Sequence, residues 1–344
     1  MVLLRIILFP FAVLYGWITG LRNFLYDKGI LKSASFDVPV IAVGNLSVGG
    51  TGKTPQVEYL IRLLSENHKV AVLSRGYKRK SSGFVLADPD SNAEILGDEP
   101  FQYHRKFPDI QVAVDADRKN GIARLLSLPV KPEVILLDDA YQHRRVTAGF
   151  YMLLTAYGDL YPDDFMLPTG HLREGRRGAR RANIIVITKC PADISMDTMA
   201  AIRRKINPLA GQEVFFSSID YSDYVLSENS RMMAEEAKAL PKTLVAGIAK
   251  PGPFFAHLRN ETDTLMTFPD HHDFTASDLA EIKRLSENKL IITTEKDYVR
   301  LTRKLGSARL YYLPIRTVIL RDGDQFDKMI NNYVGKSTAN RQLH

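Results

Sequence analysis

Residues 40–55, with the sequence VIAVGNLSVGGTGKTP, constrain the fold of this chain more than any other segment. An apolar, β-branched run leads into a glycine-rich loop, and Lys53 and Thr54 follow where a helix would begin. In such a loop, backbone N–H groups converge on phosphate oxygens, while the helix N-terminus, the lysine and the hydroxyl reach the terminal phosphates and Mg²⁺. The strict consensus has glycine where this chain has Ser47, but the tighter core of the motif compensates. We therefore predict a nucleoside triphosphate site with these contacts: Gly49, Gly50, Thr51, Gly52, Lys53 and Thr54.

The composition of the 344-residue chain is typical of a soluble α/β protein, with 45% hydrophobic and 25% charged residues. This length is enough for two domains, each with its own core. The single cysteine, Cys190, excludes an internal disulfide framework and suits a reducing cytoplasm. The net charge of +7 indicates an anionic partner: nucleic acid, acidic lipid or a phosphorylated substrate. Because the chain has no zinc-ligand spacing and no nucleic-acid-binding motif, we predict no nucleic-acid partner.

The N-terminal segment narrows the choice of anionic partner. Between Arg5 and Arg22 lies the uncharged run IILFPFAVLYGWITGL, which contains the only tryptophan, Trp17. The run is shorter than the roughly 20 apolar residues of a membrane-spanning helix, and Pro10 interrupts it. An in-plane helix fits better, with aromatic residues at the membrane interface and Arg22 and Lys28 toward lipid phosphates. The alternative is a core helix docked on the domain. We predict peripheral attachment to an anionic membrane surface.

Short apolar runs alternate with helical or loop stretches along the rest of the chain. The first set of predicted strands comprises residues 40–43, 70–73, 110–114, 134–137, 151–154 and 184–188. Such alternation predicts a parallel sheet with helices on both faces and ligands bound beyond the carboxyl ends of the strands. A second, smaller set comprises strands at residues 244–248, 290–294 and 310–314 with a helix at 276–285, and residues 213–225 and 310–319 are expected to pair as a connector.

Two acidic elements are candidates for the chemistry of phosphate transfer. Asp138 and Asp139 directly follow a buried strand, where phosphate-loop proteins hold Mg²⁺, although a pair of helix-capping aspartates is the alternative. Asp98 and Glu99 precede a proline at the start of a predicted helix, which is often only a structural pattern. If this turn faces the phosphate loop, Asp98 can accept the proton of an attacking hydroxyl and Glu99 can support the metal. Because a free aspartate is a weak base, a partner that tunes or relays the proton would help.

Histidine and arginine side chains supply further candidates. The pair His271 and His272 would partner the base if a lid brought it over the first domain, although loop histidines are more often solvated. Arg173 belongs to the densest basic segment, residues 170–181, which is either a solvated face or the counter-charge to a substrate phosphate or membrane. Further polar groups follow strands on the expected ligand side, namely Arg75, Tyr77 and Arg118.

A motif after the last strand of the first set bears on the identity of the base. The segment Thr188-Lys189-Cys190-Pro191 lies where a guanine-recognition motif would end in aspartate. Since a proline side chain cannot hydrogen-bond a base, the segment favours adenine over guanine and ATP over GTP.

Seven segments together resemble one enzyme family. They are GNLSVGGTGKTP, SRGYKRK, GDEP, DADR, LLDDAYQHR, GHLRE and TTEKD, in this order along the chain. The chain is similar to the tetraacyldisaccharide 4′-kinases of lipid A synthesis from about residue 22 to residue 320, and the combination is far more specific than a phosphate loop alone. The resemblance implies transfer of the ATP γ-phosphate, with Mg²⁺, to the 4′-hydroxyl of an acylated diglucosamine 1-phosphate, giving lipid IVA. It also implies that the enzyme acts at the cytoplasmic face of the inner membrane of a Gram-negative bacterium, and it implies no obligate protein partner.

The resemblance assigns roles to the candidate residues. It implies that Asp98 is the catalytic base, and that His271, chosen over His272, is its partner. Lys53 and Thr54 match phosphate and Mg²⁺ contacts, and the other implied metal-supporting positions are Glu99, Asp138 and Asp139. Arg173 is implied in catalysis and Gln142 in nucleotide binding, while the implied substrate positions are Arg75, Tyr77, Arg118, His143 and Glu174.

The family architecture is implied in the same way: two α/β/α domains joined by a two-stranded β linker, with an N-terminal membrane-associating helix. The expected boundaries are residues 1–30 for that helix, 31–212 for the nucleotide-binding domain, 213–227 and 308–320 for the linker, and 228–307 for a smaller lid domain. Two rival functions remain. In a membrane-associated ATPase switch, the deviant phosphate loop has a lysine where this chain has Val48, and a GTP-driven metal-insertion protein would need a Cys- or His-rich tract.

Overall fold

The strands of the protein form two separate sheets in the computed structural model, which describes residues 2–270, 272–306 and 309–342. The strands are β1 Val40–Asn45, β2 Val70–Ser74, β3 Val85–Leu86, β4 Gln111–Val114, β5 Val134–Asp138, β6 Phe150–Ala156, β7 Ile184–Thr188, β8 Glu213–Tyr221, β9 Tyr224–Leu226, β10 Arg231–Met233, β11 Lys242–Ala246, β12 Thr264–Thr267, β13 Leu290–Thr294, β14 Leu310–Leu313 and β15 Ile315–Leu320. The helices are α1 Val2–Asp27, α2 Lys53–Ser65, α3 Ala93–Leu96, α4 Asp98–Lys106, α5 Arg118–Leu126, α6 Met196–Ile206, α7 Ala234–Ala239, α8 Gly252–Leu258, α9 Ala276–Leu285, α10 Glu295–Leu305 and α11 Gly323–Gln342.

The larger sheet has nine strands in the order β15-β8-β7-β6-β1-β5-β2-β4-β3. Strands β1, β2 and β4 to β8 run parallel, whereas β3 and β15 pair antiparallel at the two edges. Each of the six strands predicted in the first set is present. The phosphate-loop strand β1 lies between β5 and β6, so that Val43 is in register with Asp138.

Alternate residues of these strands pack on opposite faces of the sheet, which explains why the strands are continuous apolar runs. On β1, Ile41 and Val43 contact one core with helices α2 and α11, while Val40 and Ala42 contact a second core with α5. Helix α6 covers the same face as α5, further along the sheet. The result is a three-layer α/β/α arrangement, which confirms the predicted fold class.

The smaller sheet has six strands in the order β10-β9-β14-β13-β11-β12. Within this sheet, β11 pairs in parallel with β12 and β13, and β13 pairs in parallel with β14. These strands include the three that were predicted for the second set. The predicted helix over residues 276–285 is α9, which begins at Thr275 with a capping box completed by Asp278. We call the larger sheet with its helices, residues 28–221 and 315–342, the large lobe, and residues 224–313 the small lobe.

The two lobes are joined at the edge of the larger sheet. Strands β8 and β15 pair antiparallel from Ile315 opposite Tyr221 to Leu320 opposite Phe216. Because β8 also pairs with β7, these connecting strands extend the larger sheet instead of forming a separate ribbon. The expected connector segment 310–319 is divided, since β14 belongs to the smaller sheet and β15 to the larger one. The expected domain boundaries themselves stay a prediction.

Helix α1 exposes many apolar side chains. The large ones that are at least half exposed are Ile7, Phe9, Phe11, Leu14, Trp17, Ile18, Leu21 and Phe24. Ala12, in contrast, is buried. Within the described ranges, no helix combines the length and the hydropathy needed to cross a membrane.

Candidate active site

The phosphate loop connects β1 to α2 at the centre of the larger sheet. Gly49 and Gly52 have φ angles of 107° and 81°, a left-handed conformation that strains any residue with a side chain. Asn45, the last residue of β1, donates a hydrogen bond to the Thr51 hydroxyl at 2.8 Å. The local sequence therefore fixes the loop, because glycines allow its path and the end of β1 holds it.

The strand next but one to β1 supports the same loop from the other side. The Thr188 hydroxyl at the end of β7 donates to the carbonyl of Thr51 at 2.7 Å, and the Lys189 ammonium donates to that of Gly50 at 2.5 Å. Lys189 itself has a positive φ of 58°, so the extended strand ends at this residue. Two consecutive residues at the end of β7 thus hold the backbone of the phosphate loop.

Asp138 is a buried carboxylate at the carboxyl end of β5. One oxygen, Oδ2, accepts a hydrogen bond from the Ser74 hydroxyl at 3.3 Å, while Oδ1 has no hydrogen-bond partner among the described residues. Burial, together with the charges of Glu99 and Asp139, raises the pKa of Asp138 to about 7. A buried carboxylate with an unpaired oxygen at this position calls for a cation or a donor from outside the chain.

Asp139 lies between two cations in a left-handed turn, with φ of 46°. Its Oδ1 is 3.6 Å from the Lys53 ammonium, and Arg173 donates to both carboxylate oxygens at 2.8 and 3.2 Å. Burial would raise the pKa of Asp139, but the Lys53 charge and the Arg173 hydrogen bond hold it below its ordinary value. Asp139 therefore orients both cations beside the phosphate loop.

The acidic turn at the start of α4 faces the phosphate loop. Gly97, with φ of 88°, turns the chain into α4. Glu99 accepts a hydrogen bond from the Thr54 hydroxyl at 3.5 Å and contributes to the raised pKa of Asp138. Asp98 pairs with Arg300 of helix α10, whose Nε donates to Oδ2 at 3.1 Å. Side chains from both lobes thus meet at this turn.

The predicted substrate residues fall into exposed and buried groups. Arg75 and Tyr77 are exposed after β2. Arg118 is buried, and its guanidinium donates to the carbonyls of Asp115 at 3.0 Å and Asp138 at 3.2 Å. Burial lowers the pKa of Arg118 to about 10. The structure thus shows Arg118 bracing the Asp138 backbone, and its contact with substrate stays a prediction.

Gln142 and Glu174 lie on the wall of the site beside Asn45, and His143 is the next residue after Gln142. Gln142 donates to the Asn45 carbonyl at 2.8 Å and to Glu174 at 2.9 Å, and the buried Glu174 also accepts from Arg181 and Asn23. Burial and the Arg118 charge lower the pKa of His143 to about 4. Gln142 and Glu174 have protein partners in this structure, so their predicted nucleotide and substrate contacts are untested.

The histidine pair precedes α9 in the small lobe. His271 lies outside the described residues. The ring of His272 stacks on Phe268 with centroids 5.0 Å apart, and its Nε2 is 2.9 Å from an Asp278 oxygen. The carbonyl of His272 accepts a hydrogen bond from Arg300 at 3.0 Å. Because Arg300 also pairs with Asp98, the backbone of His272 lies near the start of α4, and the closing of a lid stays a prediction.

The side chains near the loop fit a Mg²⁺ ion that is shared with a nucleotide. Among the residues that the structure describes, no group of three or more His, Cys, Asp and Glu side chains could hold a metal by itself. Mg²⁺ in phosphate sites takes few protein ligands, however, and completes its shell with phosphate oxygens and water. The unpaired oxygen of Asp138 and the Thr54 hydroxyl beside Glu99 suit this partial coordination.

Three residues of the site were not among the predicted site residues. Asn45 is a polar residue at the end of a fully buried apolar strand, a signal that could have identified it. Lys189 lies in the segment 188–191, whose pattern bears on adenine against guanine but does not predict a contact with the phosphate loop. Arg300 is the third residue after the TTEKD segment, and nothing local in the sequence distinguishes it from other helix-surface arginines.

Comparisons with known proteins agree with this geometry. Residues 4–335 match the tetraacyldisaccharide-1-P 4′-kinase (LpxK) family. The chain belongs to this family. The 4′-kinase of Flavobacterium johnsoniae is 63% identical over 332 residues, covering 96% of this chain and 98% of the relative. That of Phocaeicola vulgatus is 45% identical over 351 residues, covering 97% and 96%.

A solved LpxK structure shows the same fold. The Aquifex aeolicus LpxK, crystallised in complex with ATP, superposes with a TM-score of 0.78 at 31% identity, covering 96% of this chain and 99% of that one. Membership in the LpxK family confirms the predicted family and the prediction of a kinase. The family assignment therefore favours the kinase over the rival ATPase switch.

Proposed function

We propose that this chain transfers the γ-phosphate of ATP to the 4′-hydroxyl of a tetraacyldisaccharide 1-phosphate, forming lipid IVA in lipid A synthesis. The observation that carries the proposal is the meeting of the phosphate loop with the acidic turn at Asp98 and Glu99, in a chain of the LpxK family. Phosphoryl transfer requires positioning and charge neutralisation more than covalent chemistry by the protein.

The ATP end of the site is provided by the large lobe. Backbone N–H groups of residues 49–54 and the N-terminus of α2 would hold the β- and γ-phosphates, with the Lys53 ammonium as the point charge. Asp139 keeps Lys53 and Arg173 directed toward one place. Thr54 and Asp138, with Glu99 beside them, would hold Mg²⁺, which neutralises charge on the phosphates when it is bound.

The acceptor end of the site centres on Asp98. As the 4′-oxygen forms its bond to the γ-phosphorus, its O–H bond breaks and the proton passes to the Asp98 carboxylate. The bond from the γ-phosphorus to the bridging oxygen breaks, and that oxygen leaves with ADP. Arg173, which donates to Asp139 beside Lys53, would balance the charge of the transferred group, and His271 would take part as the partner of the base.

Helix α1 would bring the site to a membrane surface. Its exposed apolar side chains, with Trp17 at 77% exposure, suit the interfacial layer of a bilayer, and the adjacent Arg22 and Lys28 suit anionic lipid phosphates. Tyr15 donates to the carbonyl of Arg173 at 3.0 Å, and Asn23 donates to Glu174 at 2.8 Å. A bilayer bound by α1 would therefore lie beside Arg173 and Glu174 on the wall of the site, which is consistent with the cytoplasmic face of an inner membrane.

The proposal is tested by incubating the full chain with γ-³²P-labelled ATP, Mg²⁺ and tetraacyldisaccharide 1-phosphate in phospholipid vesicles. We expect a labelled lipid whose new phosphate is at the 4′ position, with one ADP released per lipid phosphorylated. ATP hydrolysis without a labelled lipid, stimulated by an added protein instead of the lipid, would contradict the kinase function and support the ATPase switch.

A further inference from the structure

Arg300 is the side chain that ties the candidate base to the small lobe. Its Nε and Nη2 both donate to Oδ2 of Asp98, and its Nη1 donates to the carbonyl of His272 at 3.0 Å. The guanidinium is mostly buried, with 12% of the side chain exposed. One planar group thus joins the start of α4 in the large lobe to the histidine segment of the small lobe.

The backbone that carries Arg300 is held firmly within its own lobe. Asp297, one turn earlier on α10, is fully buried and accepts hydrogen bonds from the Gly247 N–H at 2.8 Å and the Thr294 hydroxyl at 2.7 Å. A Cβ on Gly247 would lie 2.9 Å from Asp297, so this approach depends on glycine. Residues three apart on a helix share a face, and Arg300 therefore projects from an anchored turn.

Other contacts dock α10 on the large lobe without Arg300. Val299 packs in a cluster with Leu96 and Phe101, while Lys106 pairs with Glu295 at 2.9 Å. Because these contacts already join the lobes, Arg300 is not needed simply to hold them together. Its distinguishing feature is its partner, since its guanidinium binds the carboxylate proposed as the base.

We propose that Arg300 is a positioning residue for phosphoryl transfer, which fixes the Asp98 carboxylate and the His272 segment in one arrangement when the lobes dock. This inference rests on the proposed function, in which Asp98 accepts the proton of the 4′-hydroxyl. Arg300 exchanges no proton in the step, because a guanidinium stays charged and its pairing with Asp98 raises its pKa further. Its fork holds two groups at fixed geometry, which a single ammonium cannot do.

The test compares Arg300→Met and Arg300→Lys in the full chain with the labelled-ATP and lipid assay. We expect Arg300→Met to lower kcat about 100-fold, the size of effect that a misplaced catalytic group produces, while the Kd for ATP stays within about twofold. Arg300→Lys keeps the charge but cannot serve both partners, so we expect a loss of about tenfold. Arg284→Met is the matched control, because Arg284 forms a similar but exposed pair with Glu281 in the same lobe.

A double variant separates positioning from general structural support. If Arg300 acts through Asp98, adding Arg300→Met to Asp98→Asn lowers the residual activity no further than Asp98→Asn alone. A multiplied loss in the double variant would overturn the proposal. So would a wild-type kcat in Arg300→Met, or an unchanged kcat with a raised Kd for ATP. Should Arg300→Met fail to fold, Arg300→Lys decides alone: a lowered kcat with unchanged ATP affinity supports the proposal, and a wild-type kcat overturns it.

The same measurements distinguish this inference from the proposed function. If the unmodified chain makes no 4′-phosphorylated lipid, or if Asp98→Asn is fully active, the proposed function or its base is wrong and the role of Arg300 falls with it. If the unmodified chain is active, Asp98→Asn is inactive and Arg300→Met is fully active, only the role of Arg300 is wrong.

Discussion

The two lobes contribute to the candidate site in different ways. In the large lobe, the phosphate loop, Asp138 and Asp139 all follow the carboxyl ends of neighbouring parallel strands, and the sheet alone brings them together. In the small lobe, Arg300 comes from helix α10 and His272 from a loop, and they reach the site only because α10 docks on α4. The fold of the large lobe alone thus assembles the nucleotide site, whereas the proposed acceptor chemistry depends on docking of the small lobe.

This difference predicts that variants at the phosphate loop disturb ATP binding, whereas variants of the small lobe, like those of Asp98, disturb transfer. The largest expected effect is in the large lobe. Lys53→Met removes the ammonium that lies 3.6 Å from Asp139, and it leaves the carboxylate cluster less compensated. We expect kcat/KM for ATP to fall by at least about 10³-fold, measured by label transfer and by calorimetric ATP binding. The exposed Lys131→Met is the control, and a loss smaller than about tenfold would break the comparison.

A second prediction concerns the helix outside both lobes. Replacing Trp17 and Leu21 together by glutamate places charge on the exposed apolar face of α1. We expect activity on vesicle-bound substrate to fall about tenfold, with vesicle binding lost in a flotation assay and the Kd for ATP unchanged. Val130→Glu alters another exposed apolar side chain and should change none of these. An equal loss of ATP binding would show that α1 supports the fold instead of a membrane contact.

The third prediction concerns the ion pairs at the place where α10 docks on α4. Lys106 pairs with both Glu58 and Glu295, and burial together with the Glu58 charge raises the pKa of Glu295 from 4.5 to about 7. The folded state therefore binds the Glu295 proton more tightly than the unfolded state does. The free energy of unfolding therefore falls as pH rises from about 4.5 to about 7, because the folded chain loses a proton that it binds more tightly. Above that range Glu295 is ionised in both states, and the loss of stability is complete.

Glu295→Gln should remove this pH dependence. We expect the variant to be more stable than the unmodified chain by on the order of 2 kcal/mol at high pH and nearly equal at pH near 5, measured by thermal unfolding. The exposed Glu281→Gln should leave the pH profile unchanged above pH about 5, because its pair with Arg284 lowers the pKa of Glu281. A Glu295→Gln variant that is less stable at high pH would show that the charged pair with Lys106 stabilises docking.

The smallest effect is expected at an exposed pair between the lobes. Lys250 of the small lobe pairs with Asp159 of the large lobe, and their side chains are 62% and 61% exposed. Solvent screens such a pair, so Lys250→Met should change the free energy of unfolding by less than about 0.5 kcal/mol. Chemical unfolding would measure this change. A larger loss would mean that exposed pairs, as well as the buried contacts of α10, hold the lobes together.

The contrast between the two lobes also explains which features the sequence could predict. The strands, the phosphate loop and Asp138 follow from local patterns, because apolar runs and glycines act over a few residues. Local patterns do not predict that Glu99 faces Thr54, because this contact depends on how α4 packs. Residue patterns make Asp98 a base only if this turn faces the phosphate loop, and the family resemblance assigns it the role outright.

The contacts between distant segments could not be predicted in this way. Arg300 lies 202 residues from Asp98 along the chain, and no periodicity links two such positions. Likewise, β8 and β15 were expected to pair, but their joining to the larger sheet through β7 depends on the packing of the whole lobe. The family resemblance implies that Glu174 is a substrate residue, yet in the structure Gln142, Arg181 and Asn23 surround it.

The central claim is that Asp98 takes the acceptor proton at a nucleotide site formed by the large lobe. The most direct test measures label transfer to the lipid and ATP binding on the same sample of Asp98→Asn, a variant that keeps size and removes the base. The account predicts that transfer falls by about 10³-fold or more while ATP binds with nearly unchanged affinity. Transfer at the unmodified rate, or a loss of ATP binding that accounts for the whole loss of transfer, would contradict it.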